Sequence, residues 1–399
     1  MKILYHHRIS SRDGQYVHID ELTTALRHSG HEVIMAGPRV AGEQEFGSES
    51  RLVAVLKRHL PKAIYELLEF FYSFIDFRYL SRAIGRHRPD IIYERYNLFW
   101  LSGIWAKRRY GIPLISEVNA PLFDERSRYG GIALKRLARF TERASWRGAD
   151  CIATVTDVLA ERIAREGVPR EKIVVTPNGV NRSRFPAQSD RATAKRHLGL
   201  DDSLVIGFTG FAREWHGLER VIEVLAALSD KNVVFLLVGD GDVRTGLERL
   251  AEIRGVRNRL RITGIKPRDQ VATCVQAFDI ALQPAVVDYA SPLKLFEYMA
   301  CGAAIVAPDK ANIREVISHE HNALLFDPAA ADSFRLAVER LCHDPALRSR
   351  LGAAARRTLD ERDLTWDRNA RTVVARARYL VARTGSEAAR AKWGDSNVC

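Results

Sequence analysis

The sequence has little cysteine and no long apolar run. Only 5 of its 399 residues are cysteine, and no two of them form a C-x-x-C pair. A disulfide framework, a zinc-binding cysteine cluster and a dithiol redox motif are therefore not indicated. No apolar stretch approaches the roughly 20 residues that a membrane-spanning helix needs. The first residues also lack the apolar core and cleavage site of a signal peptide, so we expect a cytoplasmic protein.

Three common ligand-binding motifs are also missing. The sequence contains no G-x-x-x-x-G-K-[ST], no glycines at dinucleotide spacing among Gly239, Gly241 and Gly246, and no H-E-x-x-H. Phosphate-loop, NAD and zinc-protease sites consequently have no support. Asp240-Gly241-Asp242 has the form of a metal-binding D-x-D pair, but it follows a predicted strand, where Asp can cap a helix. We therefore expect no metal and no cofactor.

Basic residues are in excess, since 61 Lys and Arg against 49 Asp and Glu give a formal charge of +12. Such an excess suits nucleic acid, anionic lipid or phosphorylated ligands. Basic residues cluster at Lys57-Arg58, 78–88 and 135–147, beside the aromatic run of residues 67–77. The two interpretations are a face that rests on an anionic membrane and a solvated face beside a buried helix. No RNA-binding motif interleaves these aromatics with basic residues, so nucleic acid is not an expected partner.

Short apolar runs alternate with segments long enough for crossover helices, and this pattern predicts an α/β protein. The alternation predicts two doubly wound parallel sheets, in domains that face each other across a cleft. The predicted strands are residues 2–5, 32–36, 90–93, 113–117, 150–155 and 172–175, and then 204–208, 233–238, 260–262, 280–283, 304–307 and 323–326.

The domain junction is predicted within residues 177–200, because Asn178-Gly179 is a turn dipeptide and a polar stretch follows it. We place the first domain at residues 1–177 and the second at residues 178–365. Residues 366–384 form a predicted helix with one apolar stripe, expected to pack back on the first domain, and residues 385–399 form a tail.

Residues 288–302 are the most informative segment. Ser291 suits a helix N-cap, Pro292 the first helical position and Gly302 the residue that stops the helix. A cation at Lys294, in the first turn, is mildly unfavourable unless an anion lies beside it. The backbone N–H groups of Leu293 and Lys294, with the Lys294 ammonium, form a plausible seat for a diphosphate. Glu297 lies on the same helical face and could bind a ribose diol; alternatively, Lys294 and Glu297 merely pair with each other.

The run S-P-L-K-L-F-E-Y-M-A-C-G-A-A-I-V-A, from Ser291, resembles the donor-site signature of GT-B glycosyltransferases of family 4. The resemblance extends to the N-G-V-N run at Asn178, the glycine loop 207–217, the L-V-G-D-G turn at 237–241 and the Thr263-Gly264-Ile265 turn. These motifs cover most of residues 172–330 in the order in which the family has them.

The resemblance implies a GT-B fold and a retaining, metal-independent hexosyltransferase that uses a nucleotide-diphosphate sugar. It implies that Glu297 binds the ribose, that Ser291, Pro292, Leu293 and Lys294 hold the diphosphate, and that Gly264 and Ile265 meet the base. The acceptor would be a lipid-linked glycan or a polysaccharide of the cell surface, reached from the inner face of the membrane. An epimerase of the same fold and a basic nucleic-acid-binding protein are the alternatives.

The sequence departs from the family pattern at three positions. The family often has a first Glu where this chain has Tyr289, and its contact to the donor sugar is lost or replaced by Asp288. Phe211 and His216 stand where many members have Arg and Lys. Arg213 and Lys294 are our candidates for the missing positive charge, and both are assigned a catalytic role on the leaving diphosphate.

In the first domain, residues 10–18 join the first strand to a helix. The resemblance implies that this loop faces the donor, with Gly14 and Gln15 near the phosphates or the acceptor; the alternative is a tight turn that serves geometry alone. Asn119 follows a predicted strand and is our candidate for a contact to the transferred sugar. Glu117, just before it, could be functional or a satisfied polar residue.

Overall fold

Two units of alternating strands and helices make up the fold. The computed structural model describes residues 1–9, 14–38, 60–186 and 190–394, with side chains to residue 384. Contacts within the chain define a first unit, Met1–Pro177 with the segment that begins at Trp366, and a second unit, Asn178–Thr365.

The first unit is built on a six-stranded parallel sheet with the order β2-β1-β3-β4-β5-β6. Strands β3 and β4 lie at its centre and every residue in them is buried, as expected where helices cover both faces. The strands are β1 (Lys2–His6), β2 (Glu32–Ala36), β3 (Ile91–Arg95), β4 (Leu114–Val118), β5 (Cys151–Thr154) and β6 (Ile173–Val175).

Helices connect these strands as crossovers. They are α1 (Gly14–His28), α2 (Lys62–His87), α3 (Ser102–Tyr110), α4 (Leu122–Tyr129), α5 (Lys135–Gly148) and α6 (Asp157–Arg165). Thr156 caps α6, since its hydroxyl accepts the N–H of Leu159 at 3.2 Å. The predicted loop 10–18 is corrected from residue 14 onward, because α1 already begins at Gly14.

The C-terminal helix belongs to the first unit. It packs against α1, where the His18 and Trp366 rings lie 4.9 Å apart, and the Asn369 amide donates to the carbonyl of Pro177 at 2.6 Å. This helix, here α15 (Trp366–Gly394), runs past the predicted end at residue 384. Residues 387–392, E-A-A-R-A-K, all favour helix, and Gly385 alone does not stop it.

The second unit is built on a six-stranded parallel sheet with the order β12-β11-β10-β7-β8-β9. The strands are β7 (Leu204–Thr209), β8 (Val233–Val238), β9 (Leu260–Ile262), β10 (Ile280–Leu282), β11 (Ala304–Pro308) and β12 (Leu324–Phe326). Each predicted strand matches one of these within two residues. The predicted α/β class with two doubly wound sheets is confirmed.

The helices of the second unit are α7 (Arg191–His197), α8 (Glu219–Ala227), α9 (Arg244–Ile253), α10 (Arg268–Gln276), α11 (Leu293–Ala300), α12 (Ala311–Arg314), α13 (Ser333–His343) and α14 (Pro345–Glu361). Helix α7 lies in the stretch predicted to be a linker. It forms there because the Asp190 carboxylate accepts the N–H of Ala192 at 3.0 Å and caps it.

The strand order of the second sheet reverses between β10 and β7. Ligands of open parallel sheets bind at such a reversal, beyond the carboxyl ends of the strands. The loops that follow β7 and β10 are therefore neighbours at the expected binding edge. None of the helices within the described ranges is long and apolar enough to cross a membrane.

Candidate active site

The loops that follow β7, β8 and β9 lie side by side at the carboxyl edge of the second sheet. Gly210 donates its N–H to the carbonyl of Val238 at 2.9 Å, and Gly239 pairs with Gly264 in an antiparallel bridge. Gly239 has φ +136, and a Cβ there would overlap the carbonyl oxygen of Gly210. Only glycine allows the two backbones to approach so closely.

Helix α11 begins where the loop after β10 meets this edge. Its N-cap is Pro292, with φ −68 and ψ 119, so the predicted N-cap at Ser291 is one residue too early. The Ser291 hydroxyl is used elsewhere, because it accepts the N–H of Asn178 at 3.2 Å. The Asn178 side chain also donates to the carbonyl of Ser291 at 2.5 Å, so Asn178 anchors the start of α11 from a distant part of the chain.

Gly302 ends α11 as predicted. It has φ +61, and it donates to the carbonyl of Met299 while Ala303 donates to that of Tyr298. This pair of bonds is a Schellman motif, which glycine favours in the left-handed conformation.

Lys294 lies in the first turn of α11, and its ammonium is directed at the loop after β7. Its Nζ lies 3.9 Å from the centroid of the buried Phe208 ring, and a Cβ at Gly210 would lie 3.5 Å from the same atom. Burial lowers the pKa of Lys294 to about 7, although the Glu297 carboxylate raises it. A partly buried cation at the positive end of a helix is electrostatically unfavourable, and an anion beside it would offset this cost.

His216 also lies against Phe208, close enough to Lys294 for the two side chains to interact electrostatically. Its ring lies 5.1 Å from that of Phe208, and its Nδ1 accepts the backbone N–H of Arg213 at 3.1 Å. Burial and the charge of Lys294 lower the pKa of His216 to about 3. The ring is therefore neutral, and since Nδ1 accepts, Nε2 carries the proton and can donate.

Arg213 is partly exposed and lies between two aromatic rings. Its guanidinium carbon is 4.8 Å from the centroid of Trp215 and 5.2 Å from that of Phe211. Trp215 is 55% exposed. The structure thus brings Arg213 and Lys294 together around His216, with the Arg213 side chain held by ring stacking.

Glu297 is partly exposed and lies one turn after Lys294 on α11. Its neighbour Tyr298 is buried, and the Tyr298 hydroxyl accepts the N–H of Thr209 at 3.0 Å. Through this bond, α11 holds the end of β7 in register with the loop that faces Lys294. From the sequence, only the helical face that carries Lys294 and Glu297 is indicated. Tyr298 looks there like an ordinary core residue.

Gly264 and Ile265 complete the same edge. Gly264 has φ +67, which favours glycine, and Ile265 is 51% exposed although it is apolar. An exposed apolar side chain beside a backbone turn can pack against a flat ring, in addition to the backbone contacts that the resemblance implies.

Tyr289 and Asp288 differ in placement. Tyr289 is buried and Asp288 is exposed. Their loop is fixed by Asn312, which donates to the carbonyls of Val287 at 3.1 Å and Ala290 at 2.6 Å. Asn312 has no pattern in the sequence that would have identified it.

Asp240 binds its own loop and the first residue of α9, and its side chain does not cap that helix. It accepts the N–H of Gly241 at 2.9 Å and pairs with Arg244 at 2.9 Å, while the N-cap of α9 is Val243. The predicted capping role is therefore wrong.

At the carboxyl edge of the first sheet, Glu117 is a fully engaged buried carboxylate. Arg95 contacts it at 2.5 Å, His18 at 3.2 Å and the Tyr5 hydroxyl at 3.1 Å. Burial would raise the pKa of Glu117, but His18 and Arg95 hold it well below its usual range. These contacts are those of a satisfied polar residue.

Asn119 belongs to this network. Its amide nitrogen donates to Glu117 at 2.5 Å, and its carbonyl oxygen is buried without a hydrogen-bond partner. Gly14 is exposed and begins α1. Residues 10–13 of the predicted loop, and Lys57-Arg58 of the basic clusters, lie outside the described residues.

Comparison with known proteins decides the family. Residues 190–358 match the family described as Glycosyl transferases group 1, and residues 12–184 match Glycosyltransferase Family 4. Both halves of the chain are therefore accounted for. The first half of the chain therefore belongs with Glycosyltransferase Family 4 and the second half with Glycosyl transferases group 1.

Two curated relatives illustrate the range of this family. Alpha-D-kanosaminyltransferase of Streptomyces kanamyceticus is 25% identical over 62% of this chain and 66% of its own length. The lipopolysaccharide core biosynthesis glycosyltransferase LpsE of Rhizobium meliloti is 30% identical over 58% of this chain and 65% of its own length. The chain thus spans slightly less than two thirds of each of these relatives.

A solved structure shows the fold. HepE from Anabaena, crystallised with UDP, aligns with a TM-score of 0.71 over 94% of this chain and 99% of its own, at 17% identity. The implied GT-B fold is confirmed.

Proposed function

We propose that this chain transfers a sugar from a nucleotide-diphosphate sugar to an acceptor hydroxyl. The observation that carries the proposal is the approach of the Lys294 ammonium to Gly210 at the N-terminus of α11. Two loops and a helix end converge there on a site of positive charge. A diphosphate fits it because backbone N–H groups and a cation are the groups that bind phosphate.

Glycosyl transfer needs this charge when the bond between the sugar and the diphosphate breaks. The electron pair of that bond goes to the leaving phosphate oxygen, where Lys294, the first N–H groups of α11 and the Nε2–H of His216 can stabilise it. Arg213, stacked on Trp215, supplies further positive charge nearby. These groups do this without a metal.

We further propose that the anomeric configuration is retained. The acceptor oxygen would attack the face that the diphosphate leaves, and its proton would pass to the leaving phosphate. No protein nucleophile is required in this scheme. The acceptor is a lipid-linked or polysaccharide hydroxyl, and the similarity to LpsE, a lipopolysaccharide core biosynthesis glycosyltransferase, supports this by analogy.

Thermal stabilisation by UDP-, GDP- and ADP-sugars identifies the donor, because a ligand that binds the folded state raises its apparent stability. Glu297→Ala should weaken binding of that donor by about 1.5 to 3 kcal/mol if a charge-assisted bond to the ribose is lost. Unchanged affinity and turnover would show that the assignment of Glu297 is wrong. Gln276→Ala, at the end of a neighbouring helix of the same unit, is a control expected to bind normally.

Lys294→Ala should lower turnover more than substrate binding, since charge on the phosphate grows toward the transition state. Equal losses would mean that Lys294 only anchors the donor. Incubation of the donor without acceptor tests the epimerase alternative, because only an epimerase returns an isomerised sugar nucleotide.

A further inference from the structure

Helix α2 carries a row of exposed apolar side chains. Its seven large apolar residues that are 39% to 60% exposed are Ile64, Leu67, Leu68, Phe71, Phe74, Ile75 and Tyr79. They recur every three or four residues and therefore share one helical face. The other large exposed apolar side chains in the described part of the chain are scattered one to an element, as is usual on a protein surface.

Each carboxylate of α2 is engaged by a partner from another segment of the first unit. Glu66 is fully buried and accepts the N–H groups of Ala133 and Leu134, at 2.9 and 2.6 Å. Glu69 pairs with Arg126 at 2.9 Å, and Asp76 lies 2.9 Å from Nε2 of His6. The exposed face of α2 consequently presents apolar groups without any carboxylate of its own helix.

Cations continue the apolar row. Arg78, Arg82 and Arg86 are exposed and follow Ile75 at the same spacing of three and four residues. Helix α3 packs against the row, where Trp105 lies 4.7 Å from Phe74, and α3 adds the exposed Arg108 and Arg109.

A basic groove adjoins the other end of α2. Glu66 binds the N–H groups that directly precede α5, so the two helices start next to each other. Helix α5 lines an open cavity of about 540 Å³ with five basic residues: Lys135, Arg136, Arg139, Arg143 and Arg147. Phe140, on the same cavity, is 62% exposed.

We propose that the α2 row and the α5 groove together dock the protein on an anionic lipid bilayer. The apolar side chains enter the headgroup boundary, and the surrounding arginines contact anionic headgroups. A second copy of this chain fits less well, because a symmetric contact would place arginine against arginine. Nucleic acid would leave the apolar row without a partner. The proposal does not depend on glycosyl transfer.

Co-sedimentation of the full chain with vesicles tests the proposal. We expect binding to vesicles of phosphatidylcholine with about 30% phosphatidylglycerol, little binding to phosphatidylcholine alone, and release by about 0.5 M salt. Leu68→Gln with Phe71→Gln should lower the partition constant for vesicles about tenfold or more, since apolar insertion is lost while helix propensity is kept. Arg82→Glu with Arg86→Glu should remove the preference for anionic vesicles.

Ile253→Gln with Leu336→Gln is the matched control, because these side chains are 66% and 55% exposed on helices of the second unit. It should bind vesicles as the wild type does. Thermal unfolding confirms that each variant is folded. Equal vesicle binding by the wild type and the α2 variant, or no binding by the wild type, would overturn the proposal. A dimer in sedimentation velocity that the α2 variant loses would assign the row to a second copy and also overturn it.

Discussion

Asn178 and Ser291 are 113 residues apart in the chain, and the amide of Asn178 lies 2.5 Å from the carbonyl oxygen of Ser291. Both residues are buried. The bond ties the first residues of the second unit to the start of α11, which places the N–H groups and Lys294 at the candidate site. Part of the candidate site is therefore positioned by a residue at the start of the second unit.

Asn178→Ala should destabilise the second unit by about 1 to 3 kcal/mol, because the Ser291 carbonyl is left buried without its donor. Donor affinity should fall as well, since the start of α11 loses its anchor. Urea unfolding and nucleotide-sugar titration measure the two effects. Asn181→Ala is the control, because the Asn181 carboxamide oxygen binds Ser183 in an exposed turn. Equal effects of the two substitutions would contradict the anchoring role.

The pKa of Lys294, lowered by burial to about 7, makes donor binding depend on pH. Below pH 7 the free protein already carries the ammonium, so affinity for a nucleotide sugar should be nearly constant. Above pH 7 binding requires uptake of a proton, and affinity should fall by up to about tenfold per pH unit. Titration of a nucleotide sugar from pH 6 to about 9 measures this.

Lys294→Arg is the control for this prediction, because a guanidinium stays charged over the whole range. Its affinity should vary little with pH even if it is weaker than that of the wild type. The same slope in the wild type and in Lys294→Arg would assign the pH dependence to another group.

His6 is the centre of a buried cluster in the first unit. Its Nδ1 lies 2.8 Å from Glu94 and its Nε2 lies 2.9 Å from Asp76. Burial lowers the pKa of His6, but these two carboxylates outweigh burial and raise it to about 9. His7, next to it, has a pKa lowered by burial to about 4.

The pKa of His6 is higher in the folded protein than in the unfolded chain. Its charged form therefore stabilises the fold fully below about pH 6.5, and this contribution is lost as pH rises toward 9. The charged His6 should therefore contribute on the order of 3 kcal/mol at pH 6. The pKa of His7 is lowered, so the fold favours its neutral form. The contribution of His7 to stability is therefore present above pH 6.5 and is lost as pH falls from 6.5 to 4. Above pH 7 the lowered pKa of Lys294 makes the protein more stable as pH rises, which opposes the effect of His6. The difference in unfolding free energy between wild type and variant removes this contribution.

His6→Gln should lower the free energy of unfolding at pH 6, and the difference from wild type should shrink toward pH 9. Denaturant unfolding at several pH values measures this difference. His28→Gln, at an exposed position, should follow the wild type throughout. A difference between wild type and His6→Gln that is constant with pH would show that His6 is not the titrating group.

Local pattern was sufficient to predict the sheets but not the contacts that build the site. Val233–Val238 is a continuous run of apolar residues, half of them β-branched, and both of its ends were predicted correctly from that run. The N-cap of α11 was predicted one residue early, because Ser291 is a good local cap and only the distant Asn178 makes its hydroxyl unavailable. A pattern within one segment carries no information about such a partner.

The residues of the candidate site also differ in how well local pattern predicts them. Lys294 and Glu297 follow from helical spacing within eight residues of one helix. His216 was noticed only as a departure from the family, and its neutral state depends on burial and on Lys294. Tyr298 and Asn312 act through hydrogen bonds to backbone groups of other segments, which the sequence does not indicate.

Gly239 and Gly246 lie seven residues apart and should respond to alanine with opposite signs. A Cβ at Gly239 would overlap the carbonyl oxygen of Gly210, and its φ of +136 is strained for any other residue. Gly239→Ala should therefore destabilise the second unit by about 2 kcal/mol or more and weaken donor binding, because it displaces the loop that faces Lys294.

At Gly246, inside helix α9, an added Cβ would meet nothing within 4 Å. Gly246→Ala should stabilise the second unit by about 0.5 to 1 kcal/mol, since alanine loses less backbone freedom on folding. Urea unfolding of both variants, with nucleotide-sugar titration, provides the measurement. A stable Gly239→Ala protein with normal donor affinity would mean that the loops after β7 and β8 can separate without consequence for the site.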